Sequence, residues 1–222
     1  MGHALVLADG TCGSAEALDA AWPGWSDGIA WVVAADGGAR HAAGLGCSLD
    51  LWVGDGDSLG EDALTVLAAT GTPIRRLAVD KDESDTELAL LAAIETGARR
   101  VTILGALGGA RFDHALANVW LLADPRVAGR DIRIVDVDAR IRLVGAGRHS
   151  LRGRIGDLVT IIPFGADTGR VTTAGLRYPL RAEPLPLGPS RGLSNVRASG
   201  AASIELEAGR LLVAETPVTL LG

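Results

Sequence analysis

The sequence predicts an α/β fold: a parallel-sheet domain over residues 1–138, followed by a small all-β domain over residues 139–222. Three observations carry this. Short apolar or β-branched runs alternate with helical patterns through the first 135 residues, as expected of strands joined by crossover helices. After Asp138 the helical period disappears, and short strand-like pieces follow between Gly- and Pro-containing turns. The chain is 48% apolar, enough for a core, yet no apolar run approaches the ~18–20 residues of a membrane span.

In chain order, the predicted strands of the first domain are Ala4–Leu7, Ile29–Ala34, Leu51–Val53, Pro73–Leu77, Val101–Leu104 and Ile132–Val135. Helices are expected near Ala15–Ala21, Ala39–Ala43, Asp62–Ala69, Asp85–Thr96 and Phe112–Leu122. The helix from Asp85 carries the clearest local signals. Ser84 and Glu87 form a capping box, Leu88, Leu91, Ala92 and Glu95 keep helical spacing, and Gly97 stops it. In the second domain the strands are Ile141–Val144, Leu158–Pro163, Val171–Thr173, Ala202–Leu206 and Leu211–Val213. Glu183–Ser194, with Pro184, Pro186, Gly188, Pro189 and Gly192, reads as a long loop. Trp31, Trp52 and Trp120 are assigned to the core.

Charge is divided unevenly. Before residue 126 there are 18 acidic and 7 basic residues; from it onward there are 9 acidic and 14 basic. An acidic front half argues against nucleic acid as a partner, because phosphate backbones require a basic surface. It suits a carboxylate-lined site for a divalent metal. The only lysine, Lys81, stands within the acidic run Asp80–Asp85, where a compact point charge differs in use from an arginine fork. Cys12 and Cys47 make no disulfide framework and lack zinc-ligand spacing. The N-terminus has no basic n-region and only a short apolar stretch, so the expected location is cytoplasmic, with no membrane partner.

In an open parallel sheet, ligands bind beyond the carboxyl ends of the strands. Four successive strand ends here deliver glycines with acids: Asp36-Gly37-Gly38, Gly54-Asp55-Gly56-Asp57-Ser58, Asp80–Asp85, and Gly105 to His114. Asp55 and Asp57, two apart in extended chain, point the same way. Such a pair either shares a cation such as Mg2+ or forms an Asx turn in solvent. Asp85, in the first turn of a capped helix, is accounted for by the helix dipole alone. Gly108-Gly109-Ala110-Arg111 opens a helix whose free N–H groups could take a phosphate, with Arg111 closing over it. His114 reads either as an acid–base group or as a helix-start packing residue.

Taken together, these segments resemble the thiamine pyrophosphokinase (thiamine diphosphokinase) family. Ala35–Ala39 is similar to its ADGGA turn. Asp50–Ser58 is similar to its PDxxxGDxDS segment, with Leu49 at the place of the usual proline. Asp80–Glu87 is similar to DKDxTDxE, with Ser84 in the threonine place. Gly108–His114 with Leu116-Ala117-Asn118 is similar to GGRxDHxLAN, with Ala110 inserted. Gly175–Leu180 and Leu193-Ser194-Asn195 resemble GLxYPL and SN elements, with Val196 where an acid often follows.

The resemblance implies a Rossmann-like catalytic domain binding ATP and metal, then a β-sandwich domain binding thiamine, paired as a homodimer with active sites at the interface. It implies transfer of pyrophosphate from ATP to the thiamine hydroxyl, giving thiamine diphosphate and AMP. Asp55, Asp57 and Asp85 would hold Mg2+, and Asp36 with Gly37 and Gly38 would stand near the nucleotide or metal. Lys81, Ser84, Gly108, Gly109 and Arg111 would contact phosphates, Asp113 would face the thiamine hydroxyl, and Ser194 and Asn195 would line the thiamine pocket. Two other readings stay open at this point. One is a pyrophosphokinase for another heterocyclic alcohol such as a pterin, suggested by Val196 and the Pro-rich loop. The other is a non-catalytic nucleotide- or thiamine-binding module, suggested by the shifted turn at Ala110.

Overall fold

The computed structural model describes residues 2–220, which divide into two compact units, one ending at Val137 and one starting at Asp138. In the first, strands β1 (His3–Leu7), β2 (Ile29–Ala35), β3 (Leu51–Gly54), β4 (Ile74–Arg76), β5 (Arg100–Leu104) and β6 (Asp131–Val135) pair in parallel. Their spatial order is β6-β5-β1-β2-β3-β4. β1 is buried along its whole length, which matches the apolar run Ala4–Leu7 expected of a strand covered on both faces. The chain runs from β1 outward to β4, then returns to the far side of β1 as β5. That reversal opens a crevice at the carboxyl ends of β1 and β5.

The crossover helices are α1 (Ala15–Ala21), α2 (His41–Leu45), α3 (Glu61–Ala69), α4 (Asp85–Glu95) and α5 (Phe112–Leu121). α1 and α4 begin as their sequences specify: Ser14 Oγ accepts from the Ala17 N–H, and Ser84 Oγ from the Glu87 N–H. Such caps contribute about 0.5–2 kcal/mol each. α4 buries Ala89, Leu90, Ala92 and Ala93, and its three alanines allow close approach to the sheet. The predicted helix Ala39–Ala43 is instead a 3-10 turn, Asp36–Arg40, running directly into α2. Trp52 is fully buried, but Trp31 is half-buried, and Trp120 is 56% exposed on α5, contrary to the expected core position.

The second unit is antiparallel. β7 (Arg140–Val144), β9 (Leu158–Pro163), β12 (Asn195–Val196) and β14 (Leu211–Thr216) form one sheet segment in the order β12-β9-β14-β7. β8 (Gly147–Leu151), β10 (Arg170–Ala174), β11 (Glu183–Pro184) and β13 (Ala202–Leu206) form another, ordered β11-β10-β13-β8. Alternation places Val159, Ile161, Val171, Ile204, Leu206, Leu211 and Val213 in one shared core. β8 escaped the sequence reading because Gly147-Arg148-His149-Ser150 is polar; its backbone pairs with β13 while its side chains stay largely in solvent. The long loop is interrupted only by β11 at its start.

Buried His3 ties the start of β1 to its surroundings. Its ring nitrogens lie 2.9 Å from the Asp27 carbonyl and 2.9 Å from Thr102 Oγ1. Burial pushes its basicity below the usual value of 6.5; the Asp27 carbonyl opposes this, and Arg100 and Arg133 add to it. The native state therefore holds His3 neutral, and its stabilising contribution is complete above about pH 6.5 and falls as pH drops toward the lowered native value. Denaturant unfolding at pH 7.5 and pH 5 should show a loss of stability in acid that His3→Gln makes smaller. An identical pH dependence in the variant would contradict this.

Candidate active site

Loops leaving β1 to β5 enclose a pocket of about 420 Å3 lined by Asp9, Asp36, Asp57, Ser58, Lys81, Ser84, Asp85, Thr86, Gly105 to Arg111 except Leu107, His114 and Asn118, among others. Two of its lining acids, Asp36 and Asp57, cluster with Asp55. Oxygens of Asp36, Asp55 and Asp57 all lie within 4.8 Å of one another. The three are brought together by adjacent strands, since β2 pairs with β3 through Ala35 and Val53, one residue before Asp36 and two before Asp55.

Asp36 is the most constrained. It is 3% exposed and adopts φ +41°, a conformation that costs a non-glycine residue roughly 1–3 kcal/mol. Three contacts hold it there: its carboxylate accepts the N–H groups of Ser58 and Leu59 at 3.0 and 3.1 Å, and its carbonyl accepts Trp52 Nε1–H at 3.0 Å. Gly38 is required beside it, because a Cβ there would sit 2.1 Å from the Leu7 carbonyl oxygen. Gly37 and Gly38 are thus buried packing positions that let the Asp36 turn lie against β1. Gly108 and Gly109 differ: they have φ +76° and +91° and line the pocket, just before α5, whose first residues have no side-chain cap.

Electrostatics separate the acids. Burial pushes the Asp36 carboxyl up; the Ser58 and Leu59 N–H groups oppose this, while Asp57 and Asp85 add to it. The Asp57 N–H and then Lys81 hold Asp55 below the usual carboxylate range. Asp85 is raised by burial, with Lys81 opposing and Asp55 and Asp57 adding. Lys81 Nζ lies 3.0 Å from Asp55 Oδ2 and 3.2 Å from Asp85 Oδ1. Burial disfavours its charge, but the two carboxylates outweigh that and raise its proton affinity.

Three groups depart from the positions the sequence suggested. Asp36, rather than Asp85, completes the group of three carboxylates within 4.8 Å; Asp85 lines the same pocket and shares Lys81 with Asp55. Arg111 and Asp113 are exposed and paired with each other, and Arg111 also lines the pocket. Asp113 instead lines a neighbouring apolar groove of about 940 Å3 with Leu116, Trp120 and Leu121. In the β unit, Asn195 is buried and spends its side chain on backbone: Oδ1 accepts from Tyr178 and Val196 N–H, and Nδ2 donates to the Tyr178 carbonyl. Ser194 has φ +52° and donates its N–H to Thr160 Oγ1. The sequence reading passed over Asp9, which lines the pocket and pairs with Arg40 at 2.9 Å. The strand-end rule applied to Ala4–Leu7 would have found it. It also gave no role to Asn118, whose Nδ2 donates to the Ala106 carbonyl at 2.9 Å and anchors the loop after β5.

A family model described as the catalytic domain of thiamin pyrophosphokinase matches residues 25–135, and one described as its vitamin B1 binding domain matches residues 148–211. The chain belongs to the thiamin pyrophosphokinase family. It is 29% identical over 143 residues to a thiamine pyrophosphokinase of Bacillus subtilis, a match covering 64% of the chain and 66% of that protein. A match to thiamine pyrophosphokinase 1 of Arabidopsis thaliana is also 29% identical, over 66% of the chain and 58% of the relative. The matched segments thus span less than two thirds of these curated relatives. Among solved structures, the Bacillus subtilis thiamine pyrophosphokinase superposes with a TM-score of 0.83 at 25% identity, covering 97% of this chain and 99% of that one. The α/β-plus-β-sandwich expectation is borne out, and a vitamin B1 domain leaves the pterin reading without support. No helix among the described residues is long and apolar enough to cross a membrane.

Trp52→Phe retains bulk in the core but leaves the Asp36 carbonyl without its donor. The substitution should cost about 1–3 kcal/mol in denaturant unfolding; an unchanged midpoint would show that Asp36 is held by other means.

Proposed function

We propose that this chain is a thiamine diphosphokinase, transferring the β,γ-pyrophosphoryl group of ATP to the hydroxyethyl oxygen of thiamine and releasing AMP. The bond formed joins that oxygen to the β-phosphorus; the bond broken joins the β-phosphorus to the oxygen bridging to the α-phosphorus, which leaves on AMP. The observation that carries the reading is the convergence of Asp36, Asp55 and Asp57 within 4.8 Å, beside a glycine loop and an uncapped helix start. Family membership implies a nucleotide substrate and a metal. An all-carboxylate donor set from Asp36, Asp55 and Asp57 fits a hard, oxygen-preferring cation such as Mg2+.

Asp36, Asp55 and Asp57 would hold that ion, with Asp85 beside them. When bound, Mg2+ neutralises negative charge on the phosphates. The remaining work falls to the chain itself. Backbone N–H groups of Gly108–Arg111 receive phosphate oxygens where the α5 dipole favours negative charge. Lys81 and Ser84 contribute further donors. Arg111 turns from Asp113 to the phosphates, which frees the Asp113 carboxylate to orient the thiamine hydroxyl and accept its proton. While paired, Asp113 is held below the usual carboxylate range by Arg111, so this exchange also makes it the better base. Residues 1–138 serve as the ATP and metal domain and 139–222 as the thiamine-binding and dimerisation domain, where Asn195 acts by fixing the Tyr178 segment.

The proposed assembly is a homodimer whose interface adjoins the active site. Pairing would then involve the first unit as well as residues 139–222, since Phe112, Leu116 and Trp120 are exposed at four-residue spacing along α5, the helix whose start lines the pocket.

Purified protein given ATP, Mg2+ and thiamine should form AMP and thiamine diphosphate, both resolved by chromatography. Asp57→Asn should lower kcat by at least about a hundredfold, the scale of losing an electrostatic contact made in the transition state. Absence of product with the native protein across pH and metals would refute the assignment.

A further inference from the structure

The Lys81 ammonium occupies an unusual place. It sits between Asp55 and Asp85, with the three side chains only 15%, 8% and 25% exposed. Asp55 is also one of the three carboxylates that converge within 4.8 Å. A divalent ion gathered by Asp36, Asp55 and Asp57 must therefore share a carboxylate with an ammonium already attached to it. Like charges that close repel, the more so where solvent screening is reduced. An ammonium on a four-carbon stem can move away from such an ion; it is a point charge, equally able to contact a phosphate.

Resting on the metal-and-nucleotide reading above, we infer that Lys81 is a resident counter-cation that neutralises the empty acidic pocket and is displaced onto the nucleotide's phosphates when metal and nucleotide enter together. Metal alone then binds weakly, because nothing receives the displaced ammonium. Metal accompanied by a triphosphate binds well, because the phosphates do. Lys81 thereby couples two binding events, and guards the site against occupation by a free cation. Its position one turn before Asp85 in sequence, with Ser84 capping α4, anchors the backbone while the side chain moves.

A single lysine in 222 residues makes this directly observable. Protein labelled with ζ-15N lysine gives one side-chain ammonium resonance. Mg2+ alone at low millimolar concentration should leave it nearly unmoved, and Mg2+ with α,β-methylene-ATP should shift it. Calorimetric titration with Mn2+ alone should show Lys81→Met binding the ion at least about tenfold more tightly than the native protein, with Lys81→Arg close to native; Lys81→Gln replaces the methionine variant if that one melts early. A resonance insensitive to metal plus nucleotide, or Lys81→Met binding Mn2+ no more tightly than native, overturns the inference. If native protein makes thiamine diphosphate while either result holds, displacement fails and the enzymatic reading stands. If the resonance shifts as expected in protein that makes no thiamine diphosphate, displacement stands and the enzymatic reading fails.

Discussion

Four carboxylates delivered to the ends of neighbouring parallel strands would repel one another, and the site exists because other contacts offset that repulsion. Asp36 is stabilised by two backbone N–H groups, Asp55 by the Asp57 N–H and by Lys81, and Asp85 by Lys81 from its place in the first turn of α4. Two of these compensations are local in sequence, Asp57 to Asp55 and Lys81 to Asp85; the others span long stretches of chain. Ser58 reaches back 22 residues to Asp36, and Lys81 reaches back 26 to Asp55. The parallel sheet makes them local in space, since adjacent strands end side by side. On the proposed reading, a cation drawn to this cluster would replace one compensating charge with another.

Much of the fold was legible because its signals are local. The strand β1 reads as an apolar run, α1 and α4 announce themselves by serine caps, and Leu158–Pro163 and Ala202–Leu206 alternate as half-buried strands should. β8 was not legible, because a polar strand held by backbone pairing leaves no hydrophobic period to detect. β11 and β12 are two residues each, below the length at which any pattern exists. Trp120 shows a different limit: helical spacing with Leu116 and Phe112 identifies an apolar stripe but not whether that stripe faces the core.

The site divides in the same way. Strand-end reasoning located Asp36, Asp57, Lys81, Ser84, Asp85 and the Gly108–Gly109 turn around one pocket, with Asp55 beside Asp36 and Asp57, because their placement follows from the parallel topology. It could not rank Asp36 above Asp85 in the acidic group. That choice depends on a left-handed backbone at Asp36, held by Trp52 from the neighbouring strand. Nor could it foresee that Arg111 and Asp113 pair with each other, or that Asn195 satisfies its amide on the Tyr178 backbone. Those outcomes depend on which partner is nearest after folding.

The central claim is that acids from separate strands grip one cation on a nucleotide's phosphates. Anomalous diffraction from crystals grown with Mn2+, α,β-methylene-ATP and thiamine tests it most directly. The account predicts manganese ligated by Asp36, Asp55 and Asp57 and bridged to the triphosphate. Manganese located elsewhere, with those three carboxylates unchanged, would contradict it.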